Sequence, residues 1–339
     1  MDLLVLGGTH HVGRNLVEAA VARGDSVTTV NRGTAPSAAP GVTELHADRT
    51  RPGELAAALG ARTWDAVLDT WSGAPRVVDE SAGLLAERAG HYGYVSSRSV
   101  HRWPLPSGAA EDAAVVDARA DDDSDADYAV AKRGSELAVL EHFPDRSLLA
   151  RAGLILGPYE IVGRLPWWLG RLDRGGRVLA PGPRNRPLQY IDGRDLAEWM
   201  LRCAETGTTG AFNAVSRPGH TTMGELLDTA AEVVDGSPEL VWVSPERIEA
   251  EGIAPWTELP IWLPPTGEMA GLHNGNVDSA LAAGLTNRPV AATVTATWAW
   301  LKQEGWPTGR ARRAVQGLAG EVEVRVLSSV VASPSDITS

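Results

Sequence analysis

Residues 3–15 read Leu3-Leu4-Val5-Leu6-Gly7-Gly8-Thr9-His10-His11-Val12-Gly13-Arg14-Asn15. The four apolar residues predict a short buried strand, and the glycines after them a tight turn. Residues 12–22 place Val12, Leu16, Ala19 and Ala20 on one face and predict a helix. A strand, a glycine turn and a helix in that order make a binding place for a pyrophosphate. Small residues let the anion approach the backbone, and the new helix aims N–H groups and its positive end at it. Gly7, Gly8, Thr9, His10, His11, Val12 and Gly13 are therefore the candidate contacts to a dinucleotide. His10 stands where the strict Gly-x-x-Gly-x-x-Gly spacing has its middle glycine. Either the backbone approach is looser there or the His10 ring points outward. Adjacent histidines share no helix face, and no further His, Asp or Glu pair lies at ligand spacing, so no metal site is expected.

The same alternation continues outward from this stretch. Strands are predicted at 26–30, 42–46, 65–69, 91–95 and 147–152, with helices at 52–59, 75–89 and 128–142 between most of them. Such alternation means βαβ units in a doubly wound parallel sheet of the α/β class. Past Gly157 the order breaks. Residues 158–306 are rich in Pro, Gly and Trp, with helices predicted at 165–174, 192–205 and 221–234. The division expected is a cofactor domain at 1–157, a smaller α+β substrate domain at 158–306 with segments returning to the first, and a flexible appendage at 307–339. The run Asp121-Asp122-Asp123-Ser124-Asp125-Ala126-Asp127 reads as a solvated loop.

With 339 residues, 43% of them hydrophobic, the chain can bury one large core or two modest ones. A formal net charge of −12 argues against a nucleic-acid partner. No apolar run is long enough to cross a bilayer, and the first strand follows Met1 almost at once, so no signal peptide is expected. A single cysteine, Cys203, excludes an intrachain disulfide. A cytoplasmic enzyme acting on a small molecule is the expectation. Nine of the 12 tryptophans lie in 158–306. Most are expected to fill the core, but Trp167, Trp168, Trp256 and Trp262 are candidates to line a pocket for a partly apolar substrate, with Arg186 as a further substrate contact.

The end of the second strand reads Val30-Asn31-Arg32-Gly33. An acidic residue there would suit the ribose 2′-hydroxyl of NAD. Asn31 does not repel a 2′-phosphate and Arg32 can pair with one, so NADP(H) is favoured over NAD(H). Asp48, after the third strand, is a candidate adenine-side contact.

Tyr128-Ala129-Val130-Ala131-Lys132 opens a predicted helix, and the i, i+4 spacing puts both functional side chains on one face. An ammonium beside a phenol stabilises the phenolate, so the tyrosine can exchange a proton with a carbonyl or alcohol oxygen. Five tyrosines and two lysines in this length would give about 0.03 such pairs by chance. At the end of the fifth strand, Tyr94-Val95-Ser96-Ser97-Arg98-Ser99-Val100 offers a hydroxyl where open α/β sheets bind ligands. Ser97 is the candidate to orient the reacting oxygen, with Ser96 and Ser99 as alternatives.

Together these residues resemble the short-chain dehydrogenase/reductase superfamily, in its extended or atypical branch with NAD-dependent epimerase/dehydratase-like members. The resemblance spans roughly residues 1–305. It rests on Gly-Gly-Thr-x-x-x-Gly at 7–13, Val-Ser-Ser-x-Ser-Val at 95–100, Tyr-x-x-x-Lys at 128–132, Gly157-Pro158, and residues 191–197. It implies a Rossmann domain with a small C-terminal substrate domain. It also implies a catalytic triad of Ser97, Tyr128 and Lys132, with Lys132 on the nicotinamide ribose. Arg98 and Ser99 replace the acidic pair of sugar 4,6-dehydratases. Leu188 stands where nucleotide-sugar epimerases carry an arginine, though Arg184 and Arg186 are close. The reading favoured is NADPH-dependent reduction of a carbonyl or imine on a small metabolite of secondary metabolism, by a monomer or homodimer. An NAD(P)-dependent epimerase, or a redox-neutral enzyme on the same fold, is the alternative.

Overall fold

The computed structural model describes residues 1–34, 39–306 and 316–330. Up to Ala152 the elements are β1 (Asp2–Leu6), α1 (His11–Ala22), β2 (Ser26–Asn31), β3 (Thr43–His46), α2 (Glu54–Leu59), β4 (Trp64–Asp69), α3 (Pro75–Leu85), β5 (Ala89–Ser97), α4 (Tyr128–His142) and β6 (Ser147–Ala152). Then come β7 (Leu154–Leu156), α5 (Arg164–Asp173), β8 (Gly176–Pro181), β9 (Pro187–Leu188), β10 (Tyr190–Asp192), α6 (Gly193–Thr206) and β11 (Gly210–Ala214). The chain ends through β12 (Thr221–Thr222), α7 (Met223–Val233), β13 (Pro238–Val243), α8 (Pro245–Ala250), α9 (Asp278–Ala282), α10 (Val290–Glu304) and α11 (Gly320–Val330). No helix among the described residues is long and apolar enough to cross a membrane.

Two compact units result. The first holds Met1–Gly153, Gly193–Val215 and Asn276–Thr286, and the second holds the rest. In the first unit seven strands form one sheet in the order β11-β6-β5-β4-β1-β2-β3, every neighbouring pair parallel. Leu3, Leu4, Val5 and Leu6 are wholly buried in β1, as a strand covered on both faces requires. The strand order reverses at β1, which pairs with β2 on one side and β4 on the other. Ligands of doubly wound sheets bind at the carboxyl ends of the strands beside such a reversal. The seventh strand, β11, is absent from the sequence expectation because Gly-Ala-Phe-Asn-Ala carries no β-branched residue. Residues 193–206 form α6, which packs on α1 and carries the chain to β11.

Two boundaries bear on the site. β5 runs past the predicted 91–95 and ends at Ser97 itself. α3 stops at Leu85, short of the predicted 89. The acidic run 121–127 is mostly exposed yet tethered: Arg76 pairs with Asp123, and its backbone N–H donates to the Asp122 carbonyl at 3.1 Å.

The second unit is built from three strand pairs, β7–β10 and β8–β13 parallel and β9–β12 antiparallel. Its core gathers Leu165, Trp168, Leu172, Leu226, Ile261 and Trp262. The expectation of a flexible appendage at 307–339 does not hold for residues 320–330. They form α11, with Val326 fully buried and Leu327 6% exposed. Glu323 of that helix accepts bonds from Arg171 Nε (2.7 Å) and the Leu179 N–H (3.0 Å). Residues 307–315 and 331–339 lie outside the described residues. Removing one partner of a buried ion pair strands the other charge, so Glu323→Ala should cost about 3 kcal/mol. Chemical denaturation followed by tryptophan fluorescence measures this; an unchanged midpoint would mean that α11 contributes nothing to the second unit.

Candidate active site

The turn after β1 is shaped by close approach. Gly7 has φ +96° and donates its N–H to the Val30 carbonyl at 3.0 Å. A Cβ on Gly13 would collide with the Gly7 carbonyl oxygen, so only glycine lets α1 come this near β1. A Cβ on Gly8 would stand 2.9 Å from both Thr29 and Val17 side chains. His10, the N-cap of α1, makes no side-chain cap bond, and no acidic residue lies in the first turn. The cradle and the positive helix end together fit a pyrophosphate. His10 is exposed, and its Nδ1 pairs with Thr9 Oγ1 at 2.8 Å.

At the end of β2, Asn31 is 9% exposed. Its Oδ1 accepts the Gly33 N–H at 2.7 Å, while its Nδ2 is buried with no partner among the described residues. A buried donor left unsatisfied costs free energy, and a ribose hydroxyl or phosphate oxygen would satisfy it. Arg32 is exposed. Asp48 spends Oδ1 on the Thr50 hydroxyl (2.7 Å) and N–H (3.0 Å). These bonds, with the charges of Arg51 and Arg32, hold its carboxyl below the usual carboxylate range. Asp48 thus caps its own turn.

The candidate residues for proton transfer lie at the carboxyl end of β5. Asp127 caps α4 by accepting the Ala129 (2.8 Å) and Val130 (3.1 Å) N–H groups, so the helix begins at Tyr128, which is half-buried. Lys132, one turn on, is 3% exposed. Its ammonium donates to the carbonyls of Trp71 (2.5 Å) and Val95 (2.7 Å) and lies 4.6 Å from the centre of the Tyr94 ring. Val95 is two residues before Ser97, and α4 packs against the turn that follows Ser97. Ser97 Oγ accepts the Ser99 N–H at 3.1 Å, and a hydroxyl that accepts one bond still has its proton to donate. Ser96, one of the alternatives, donates instead to Glu136 Oε1 at 2.6 Å.

Several residues of this region escape sequence reasoning. Glu136, a turn beyond Lys132, is fully buried and also accepts from Arg151 Nε (2.8 Å) and Nη2 (3.0 Å) and from Arg133 Nη1 (2.8 Å). It ties α4 to β5 and β6. Asp69, the last residue of β4, is held by Arg49 and Tyr92. An acidic residue directly after the apolar run Ala66-Val67-Leu68, and a Glu at i+4 from Lys132, were the signals available. Arg98 is 2% exposed, and burial pulls its guanidinium down to about 10, partly offset by the charge of Glu111.

The substrate residues expected in the second unit separate into two groups. Trp168 and Trp262 are fully buried, their indole N–H groups donating to the Pro260 (2.7 Å) and Gly182 (2.8 Å) carbonyls. Both pack in the core of the second unit rather than at its surface. Trp167 is half-buried, edge-on to Trp168 at 4.7 Å. Trp256 is half-buried at φ +66°, with the Arg164 guanidinium 5.2 Å from its ring centre. Arg186 Nη2 donates to the Pro264 and Ala270 carbonyls, both at 3.2 Å, while its Nε is buried without a partner among the described residues. Burial lowers its pKa.

Compared with solved structures, the fold is similar to that of the Bordetella bronchiseptica enzyme WbmH in complex with NAD+. The TM-score is 0.66 at 17% identity, over 89% of this chain and 98% of that one. A putative epimerase from Burkholderia cenocepacia J2315 gives 0.64 at 19% identity, over 89% and 98%. The UDP-glucose 4-epimerase of Thermotoga maritima, with UDP-glucose, gives 0.62 at 15% identity, over 89% and 99%. By sequence, neither a protein-family model nor a curated protein matches the chain. The chain shares the fold of these structures, a parallel sheet of the Rossmann type followed by a second unit.

Burial pushes the Asp69 carboxyl up, but the Arg49 charge and the bonds from Arg49, Tyr92 and the Trp71 N–H outweigh it and hold the group below its ordinary range. Glu136 is likewise pushed up by burial and brought below its range by Arg151, Ser96 and Arg133. A depressed carboxylate pKa contributes stability that is complete above the unfolded value, about 4, and is lost as pH falls through the folded value. Thermal midpoints between pH 7 and pH 2 should therefore fall steeply at the acid end. Asp69→Asn and Glu136→Gln should each start lower and show a flatter acid limb; parallel curves would contradict this assignment.

Proposed function

We propose that this protein is a nicotinamide-dinucleotide-dependent enzyme that reduces a carbonyl or imine on a small, partly apolar metabolite. The observation that carries the reading is the Lys132 ammonium seated on the Val95 carbonyl at 2.7 Å, two residues from Ser97 and one helical turn from Tyr128. The Gly7–Gly13 cradle, the start of α1 and the unsatisfied Asn31 amide are the residues that would hold the dinucleotide, and Lys132 would reach its ribose. A reduced dinucleotide held there would be the source of hydride for the substrate carbon.

The chain's own side chains manage the oxygen or nitrogen that receives the proton. Ser97 orients that atom with its hydroxyl proton, Tyr128 donates the proton, and Lys132 stabilises the phenolate left behind. Arg32, exposed beside Asn31, favours a 2′-phosphate and hence NADP(H) over NAD(H). Trp167, Trp256 and Arg186 remain the proposed substrate contacts. Arg98 and Ser99 offer no acidic pair for sugar dehydration.

A second reading, epimerisation with the same triad, is favoured by the similarity to the UDP-glucose 4-epimerase fold. Absorbance at the wavelength of the reduced nicotinamide separates the two. A reductase consumes added NADPH in proportion to substrate, and an epimerase leaves the signal level. General acid catalysis contributes about 10²- to 10⁴-fold, so Tyr128→Phe should lower kcat by that factor with little change in dinucleotide affinity. Full turnover in that variant would remove Tyr128 as the proton donor. Thermal shifts with the two dinucleotides test cofactor choice: Arg32→Ala should weaken NADP more than NAD, and a larger wild-type shift with NAD would reverse the assignment.

A further inference from the structure

The two carbonyls that hold Lys132 differ in origin. Val95 belongs to β5, and its peptide is oriented by the sheet. Trp71 lies in the loop after β4 and belongs to no strand. Its carbonyl nevertheless meets the ammonium at 2.5 Å and also accepts the Tyr94 hydroxyl at 3.0 Å. A loop peptide keeps one orientation only when its other atoms are held.

Asp69 and Arg49 hold them. Asp69 Oδ1 accepts the Trp71 N–H at 2.9 Å, which closes the turn that aims the Trp71 carbonyl. Arg49 grips both oxygens of that carboxylate at 2.7 Å, and the Tyr92 hydroxyl donates to Oδ2 at 2.7 Å. Arg49 is fixed in turn by Ser81 Oγ, which accepts from its Nη2 (2.8 Å) and Nε (3.1 Å) and donates to the Val77 carbonyl (2.6 Å). The guanidinium also lies 5.2 Å from the centre of the Trp71 ring, whose N–H donates to the Ala74 carbonyl at 3.0 Å. Asp69 is fully buried and Arg49 is 8% exposed, so the geometry of the pair is not blurred by water.

We propose that Arg49 and Asp69 are positioning residues for Lys132: they orient the Trp71 carbonyl and thereby set where the ammonium stands between α4 and the end of β5. The proposal rests on the reading of Lys132 as the cation of the catalytic group. A purely structural role for the pair makes a different prediction. Replacing a buried ion pair by apolar residues of similar volume is often neutral or stabilising, so such a swap satisfies the core. It supplies no acceptor for the Trp71 N–H and so releases the loop carbonyl.

The test uses the double variant Arg49→Met with Asp69→Leu, and separately Tyr92→Phe, which removes only one bond to Asp69. The chain has two lysines, Lys132 and Lys302. Lysine-selective ¹⁵N labelling therefore gives two ammonium signals, and the exposed Lys302 serves as internal reference. In the double variant the Lys132 signal should shift and its exchange with water quicken by about tenfold, with Lys302 unmoved. Misplacement of a catalytic group costs up to about a hundredfold in rate, so kcat should drop within that range while KM for the substrate stays near its wild-type value. Tyr92→Phe should move the same signal less.

A folded double variant with wild-type Lys132 shift and exchange would overturn the proposal. Should the double variant not fold, Tyr92→Phe decides, and an unmoved Lys132 signal there overturns it. The exchange measurement needs no turnover. A wild-type protein that is inactive with every dinucleotide would count against the catalytic reading, while the lysine signals still report whether Arg49 and Asp69 position the ammonium.

Discussion

Taking an ammonium out of water costs several kcal/mol unless hydrogen bonds replace the lost solvent. At Lys132 two backbone carbonyls and an aromatic face supply that replacement. The requirement constrains everything around it. α4 can dock only where the carbonyls of Trp71 and Val95 converge, and they converge only because β4 and β5 are neighbours in the sheet. The position of Tyr128 follows from that docking, since the two side chains lie on one face of the same helix.

Two buried ionic groups brace this arrangement from opposite sides. Glu136 joins α4 to β5 and β6 through Ser96 and Arg151, and Asp69 with Arg49 fixes the loop after β4. Each carboxylate accepts several charged or polar donors, which is how buried charges become tolerable. Both therefore prefer the ionised form despite their burial. The cofactor cradle depends on a different constraint, the steric closeness of Gly13 and the Gly7 carbonyl, which charge does not affect.

Much of the first unit was legible because its signals are local. Apolar runs, the glycine turn and the Tyr128–Lys132 spacing are each read within a few residues, and the αβ alternation follows from their order. β11 was missed because only Phe212 among its five residues favours a strand, and the segment is held by pairing with β6. α11 was missed for a related reason. Glu321-Val322-Glu323-Val324-Arg325-Val326 alternates with period two, but the contacts of Glu323, Val326 and Leu327 select a helix. Tryptophan content likewise did not distinguish Trp168 and Trp262, sealed in the core, from Trp167 and Trp256, which are half-buried.

By itself, the sequence determined the α/β class, the glycine turn and the one-turn spacing of Tyr128 and Lys132, because helix and strand periods and the i, i+4 rule act over short distances. Tertiary structure alone decided that the fifth strand reaches Ser97, that Ser96 is occupied by Glu136, and that Lys132 rests on the carbonyl of Trp71. Those pairings join residues 40 and 61 positions apart. Only the folded sheet brings such groups within hydrogen-bonding distance, so no local pattern along the chain could announce them.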